Sequence, residues 1–136
     1  MKLLMIFCAS FGFQTNRKGL DSAPDLEIQD TVTDALVGFI HIEERDQENA
    51  TAVETKLIKN LKWAARKNDT RRIVLHSFTH LSESKASPEF TKELFDNAEE
   101  RLRSADYEVR QTPFGYFLDL DMQAPGFPLA RLFKDI

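Results

Sequence analysis

The 136 residues carry 18 Lys and Arg against 22 Asp and Glu, a net charge of −4, with one cysteine. That balance excludes broad, non-specific coating of nucleic acid, and the lone Cys8 excludes a disulfide framework or a Cys-pair metal site. The opening apolar run is too short for a membrane span and has no small-residue cleavage site, so one soluble, cytoplasmic domain over residues 1–136 is expected.

Residues 3–7, Leu-Leu-Met-Ile-Phe, read as a first strand, with Cys8 beside them as a small buried hydrophobe. Residues 11–33 are polar, contain Gly12, Gly19 and Pro24, and suggest a hairpin excursion or a long loop. Residues 35–42, rich in β-branched and aromatic side chains, predict a central strand. Thr51 and Glu54 have capping-box spacing for a helix ending near Lys67, with Ala50, Val53, Leu57, Ile58, Leu61, Ala64 and Ala65 on its apolar face.

Residues 72–78 return as a strand. Ser87 followed by Pro88 opens a second helix whose stripe is Phe90, Leu94, Phe95, Ala98 and Leu102, and residues 107–112 are strand again. Strand, helix, strand, helix, strand in that order predicts parallel pairings made by right-handed crossovers. Beyond Gly115, Tyr116, Leu118, Leu120 and Met122 alternate with Phe117, Asp119 and Asp121, the period of an antiparallel strand with unequal faces. Thr112-Pro113-Phe114-Gly115 reads as the reversal into it, and a short helix follows Pro128. The fold class is α/β: a single domain with a mixed β-sheet and packing helices.

Three strings stand where strands or their turns end, which is where open α/β sheets place ligand sites: Phe78-Thr79-His80-Leu81-Ser82, Thr112-Pro113-Phe114-Gly115-Tyr116 and Gly126-Phe127-Pro128-Leu129-Ala130. On residue type alone, His80 is either a ligand or a loop histidine satisfied by a carbonyl, and Ser82 is either a ligand or a turn residue. His41 and His76 fall inside predicted strands and read as hydrogen-bonded sheet residues. Asp119 and Asp121 share a strand face but have no His or Cys nearby in sequence, so they read as solvated carboxylates, and no metal or cofactor is implied. Lys56, Lys59, Lys62, Arg66 and Lys67 share one helical arc with Trp63. That arc is either an RNA-binding face with a stacking platform or a solvated face with Trp63 at a protein contact.

Taken together, the strand pattern with F-x-H-L-S, P-F-G-Y and G-x-P-L-A in order resembles the editing domain at the N-terminus of archaeal-type threonyl-tRNA synthetases, from Met1-Lys2-Leu3-Leu4 onward. The resemblance implies a D-aminoacyl-tRNA deacylase-like fold, usually homodimeric, that hydrolyses the ester joining a wrongly attached serine to the tRNA for threonine. It implies that His80 orients water or binds the terminal ribose, that Ser82 gives a hydrogen bond, and that the backbone of Thr112, Pro113, Phe114 and Gly115 lines the pocket. The implied partner is the tRNA 3′ end, together with synthetase catalytic domains if the chain belongs to a longer one. It cannot charge tRNA alone.

The sequence departs from that family's pattern at several positions. Phe117 and Leu118 stand where a Tyr and a Lys are expected, Arg131 where an acidic residue is expected, and Phe7, Cys8 and Ala9 where a His-Ser-Asp string is expected. On this alignment Cys8, Phe117, Leu118 and Arg131 belong to a more apolar pocket. Two functions follow. One is a deacylase of altered specificity in which backbone donors and the substrate's ribose hydroxyl do most of the work and Arg131 or His80 replaces the missing groups. The other is a non-catalytic relative that binds an RNA 3′ end, a small ligand or a protein.

Overall fold

The apolar runs near the start of the chain pair with each other over an unusual length. In the computed structural model, which describes residues 1–136, β1 (Lys2–Lys18) and β2 (Gln29–His41) form an antiparallel hairpin in register from Lys2 opposite His41 to Gln14 opposite Gln29. A 3₁₀ turn (Glu44–Asn49) and α1 (Ala50–Lys67) lead to β3 (Arg72–Ser77), parallel to β2; α2 (Pro88–Ser104) then leads to β4 (Glu108–Gln111), parallel to β3. Both expected parallel pairings are present. β5 (Tyr116–Gln123) pairs antiparallel with the distal half of β1, and β6 (Arg131–Asp135) with its proximal half, after a 3₁₀ turn (Pro128–Ala130).

Residues 11–33 therefore take the hairpin form of the two expected, and the strand alternation is broken at one point. Ala9 and Asp34 face each other unpaired, and Asp34 is left-handed at φ 49°. Before this kink Leu3 and Met5 pack toward the helices while Cys8 packs on the opposite face. Beyond it the parity inverts, and Phe11 and Phe13 join Cys8, Ala35, Val37, Phe39 and Val74. A period-2 reading fails where the backbone itself skips a step.

The strand order β4-β3-β2-β1-β5 puts β4 and β5 on opposite edges, yet four residues join them. In a flat sheet the two strands would lie about 19 Å apart, and the link reaches about 17 Å only when fully extended. The sheet must curl. The distal hairpin folds over one face, held there by Arg110 Nη1 donating to Asp30 Oδ2 at 2.5 Å and lying over the Phe13 ring. Thr112 to Gly115 is thus a bridge across the curled sheet and not a reversal between neighbouring strands.

The helices cover the other face. α1 buries Val53, Leu57, Ile58, Leu61, Ala64 and Ala65, and α2 buries Leu94, Phe95, Ala98 and Leu102 against Leu3, Met5, Leu36, Ile40, Ile73 and Leu75. Ser87 caps α2 as expected, its hydroxyl accepting from Phe90 N. The cap of the preceding segment differs from the expected one. The capping box is Glu43 with Asp46 on the 3₁₀ turn, α1 begins behind Asn49, Ala50 is exposed, and Glu54 is paired with Arg101 instead of serving the backbone.

Candidate functional site

Where β3 and β4 run out, the curl leaves a cavity of about 330 Å³, a small-molecule size. Its walls come from the ends of β3 and β4, the bridge into β5, the start of α2 and the hairpin tip. They include Leu20, Ile42, His76, Phe78, Thr79, His80, Lys85, Thr91, Thr112, Phe114, Gly115, Phe117, Leu118 and Leu120. No Asp or Glu lines it.

Three sets of ties hold these walls. His76 Nδ1 meets Thr112 Oγ1 at 2.9 Å, and Thr112 N donates to Leu75 O, which locks the start of the bridge to β3. Gly19 N and Leu20 N both donate to Gly115 O, and the Tyr116 hydroxyl donates to Pro24 O while accepting from Leu26 N, so the hairpin tip is clamped to the bridge. Gly115 is obligatory there: its φ is 82°, and a Cβ would lie 3.1 Å from Ala23 Cβ. Its open space is filled by the protein's own tip residues, not by a ligand.

The third set holds the loop after β3. Leu81 N donates to His41 Nδ1, so His41 carries its proton on Nε2 and donates to Ser84 O at 2.6 Å. Ser82 Oγ donates to Glu43 Oε2 at 2.8 Å, and the other Glu43 oxygen accepts from the buried α-ammonium of Met1 at 2.9 Å. Burial alone would raise the Glu43 pKa; the hydrogen bonds from Met1 and Ser82 and the positive charges of the ammonium and Lys2 outweigh it and hold the carboxyl at about 2.

The same end of the sheet carries unspent backbone donors. The N–H groups of Thr79, His80, Phe114 and Gly115 make no hydrogen bond within the protein, whereas those of Phe78, Leu81, Ala86 and Thr112 do. Main-chain amides of this kind are suited to a developing oxyanion or a carbonyl.

Of the residues singled out by sequence, the structure brings His80, Thr112, Pro113, Phe114, Gly115, Phe117 and Leu118 together on the cavity, and leaves Ser82, Arg131 and Cys8 off it. Ser82 is occupied by Glu43. Arg131 lies on exposed β6, where Nη2 reaches Ala124 O at 3.4 Å. Cys8 is fully buried on the face away from the helices, and burial pushes its thiol up to about 11, so it is no nucleophile. His41 is a structural sheet histidine, as expected. His76 is more than that: besides bonding Thr112 it lines the cavity, and burial, reinforced by the His80 ring, lowers its pKa to about 4. Its place two residues before Phe78, at the end of the strand, was the available signal.

The model of the archaea-specific editing domain of threonyl-tRNA synthetase matches residues 1–136. Threonine–tRNA ligases of Thermococcus kodakarensis and Methanopyrus kandleri are 32% and 29% identical to the chain over its whole length. The chain spans 22% of the length of each. Among solved structures, the c-Myc DNA Unwinding Element Binding Protein superposes with a TM-score of 0.70 over 100% of this chain and 99% of that one, at 13% identity, a likeness of fold alone. The architecture is the expected mixed α/β one, a six-stranded mixed sheet with two packing helices, and this solved structure shares it. With the family model covering every residue and the cavity at the strand ends, the chain belongs to the archaea-specific editing-domain family of threonyl-tRNA synthetase.

Proposed function

We propose that this chain hydrolyses the ester of a mischarged aminoacyl-tRNA, with seryl-tRNA for threonine as its substrate, and so proofreads threonine charging. The observation that carries this reading is the cavity flanked by the free amides of Thr79, His80, Phe114 and Gly115. An aminoacyl ester seated between them has its carbonyl oxygen among fixed donors in a site whose walls are largely apolar, where such dipoles act most strongly. In this reading His80, exposed on the cavity wall with its ring against Phe78, holds the terminal ribose or a water; its exposure and its place on the cavity support that role. Phe117 and Leu118 contribute apolar surface, so backbone donors and imidazoles take the polar roles. Purified chain incubated with seryl-tRNA for threonine should release serine faster than the buffer blank. Loss of ester no faster than the blank contradicts the proposal and leaves the binding-only alternative.

The tRNA is proposed to lie along α1. Seven of the 18 basic residues fall within residues 56–72, with Asp69 as the one acidic residue there. Lys56, Lys59, Lys62, Arg66 and Lys67 enter no salt bridge. Trp63 among them is 37% exposed, with Lys67 Nζ 5.8 Å from its ring. Changing Lys59 and Arg66 together to Glu should weaken tRNA binding about tenfold or more and flatten its salt dependence by roughly two phosphate contacts; unchanged binding would reject this face. A homodimer in the cytoplasm completes the proposal, with Phe117 and Phe133, both 52% exposed on β5 and β6, as apolar surface for the second copy. Sedimentation as a monomer at micromolar concentration would contradict that part.

A further inference from the structure

We propose that His76 is the base of this site: through Nε2 it holds the attacking water and takes its proton. The inference rests on the hydrolytic reading above and adds to it the group that does the proton transfer.

The lining residues narrow the choice. Hydrolysis of an ester needs an acceptor for the proton of water, and no carboxylate lines the cavity. The hydroxyls of Ser77, Thr79, Thr91, Thr112 and Tyr116 are not bases at neutral pH, the last two being engaged with His76 and the hairpin tip, and Lys85 brings a cation. Two imidazoles remain. His80 is exposed, and no hydrogen bond fixes its ring. His76 is buried, and its ring is oriented by Thr112 at Nδ1 and by edge contact with Phe39 at 5.1 Å. The proposal assigns His76 the tautomer that donates Nδ1–H to Thr112 Oγ1, which leaves the lone pair on Nε2, an atom that makes no hydrogen bond in the protein although its residue lines the cavity. An oriented, unprotonated ring with one unspent acceptor is what a water needs in order to be aligned for attack. Burial keeps it unprotonated at neutral pH.

The step balances without a further reagent. The water oxygen bonds to the ester carbonyl carbon as its proton passes to Nε2. The bond from that carbon to the ribose oxygen then breaks, and the proton moves from Nε2 to the departing oxygen, leaving free amino acid and a tRNA hydroxyl. Nothing is oxidised or reduced. The carbonyl oxygen is held meanwhile by the backbone amides.

The test removes proton transfer while keeping a polar group near one ring nitrogen or the other. Gln at position 76 places an acceptor where Nε2 lies, whereas Asn can keep the bond to Thr112 but does not reach the water. Neither amide can take a proton, so on seryl-tRNA for threonine His76→Gln and His76→Asn should each lose about 100-fold in kcat with KM unchanged. A His76→Asn kcat within threefold of the parent overturns the proposal. Should that variant not fold, Thr112→Val, which releases Nδ1, should lower kcat about tenfold, and an unchanged kcat there overturns it equally. A parent chain that releases no serine removes the hydrolytic reading itself and this inference with it, a result distinct from a parent that is active beside an equally active Asn variant.

Discussion

Replacing His80 by Ala should lower kcat/KM for ester release about 100-fold while leaving the thermal midpoint where it was. Both halves follow from its position. The side chain is exposed, touches the Phe78 ring edge-on at 4.9 Å and makes no hydrogen bond that holds the fold together, and such surface changes usually shift stability by less than about 0.5 kcal/mol. On the proposed hydrolytic reading, however, it is the exposed side chain at the mouth of the cavity that engages the ribose, and loss of one donor to a bound substrate typically costs about 10²–10³ in rate. Measured kcat/KM and a melting curve on the same preparation check the pair. Activity within threefold of the parent would remove His80 from the site, and a collapsed melting curve would make it structural.

Acid should unfold the protein in two successive windows, each traceable to one group. His76 is held near 4 in the fold against an ordinary 6.5, first by burial and then by the neighbouring His80 ring. The unfolded chain therefore binds the extra proton as pH falls from about 6.5 to 4, and stability is lost across that span. Glu43 is held near 2 against an ordinary 4.5: burial opposes this, and the Met1 ammonium, Ser82 and Lys2 more than reverse it. Its contribution is fully present above about 4.5 and disappears as pH falls toward 2. The gap, at about 1.4 kcal/mol for each pH unit, is worth about 3 kcal/mol.

Glu43→Gln should therefore lower stability at neutral pH by about that amount and flatten the denaturation curve below pH 4.5. Removing the carboxylate leaves the fully buried Met1 ammonium with Asp46, whose oxygen is 3.0 Å away, as its remaining partner of full charge. It also leaves Ser82, on the loop that carries His80, with a neutral acceptor in place of a carboxylate. Urea unfolding of parent and variant at several pH values checks this. Parallel curves would show that Glu43 carries no such linkage.

What sequence could read was governed by how local the cause was. Ser87-Pro88 and the apolar stripe of α2 are decided by neighbours three and four residues apart, and they stand as expected. The capping spacing of Thr51 and Glu54 is equally local, but Glu54 is drawn to Arg101 of α2 and the cap falls to Glu43 and Asp46, which also meet the amino terminus. β6 has no periodic signal in its five residues and exists because the proximal half of β1 has a free edge. The parity switch at Asp34 and the curl of the sheet are tertiary, and together they decide the site. The curl brings Leu20 and Ala23 onto Gly115, so that glycine serves the hairpin tip. It sets Arg131 and Cys8 apart from the cavity, although matching the chain to the family's pattern puts them near it. The strings around His80 and Phe114 were legible because a short sequence at a strand end must lie at that end of the sheet. His76 is the hydrogen-bonded sheet residue expected, but sheet placement says nothing about which ring nitrogen is spent or that the ring lines the cavity.

The central claim is that main-chain amides at the strand ends cradle an aminoacyl-adenosine terminus, and amide-resolved NMR with a hydrolysis-resistant 3′-seryl-amide analogue of adenosine tests it most directly. The N–H resonances of Thr79, His80, Phe114 and Gly115 should move together and saturably with the analogue, with little change along β6 and none at Cys8. Saturable shifts confined to another surface, or none at millimolar analogue, would contradict it.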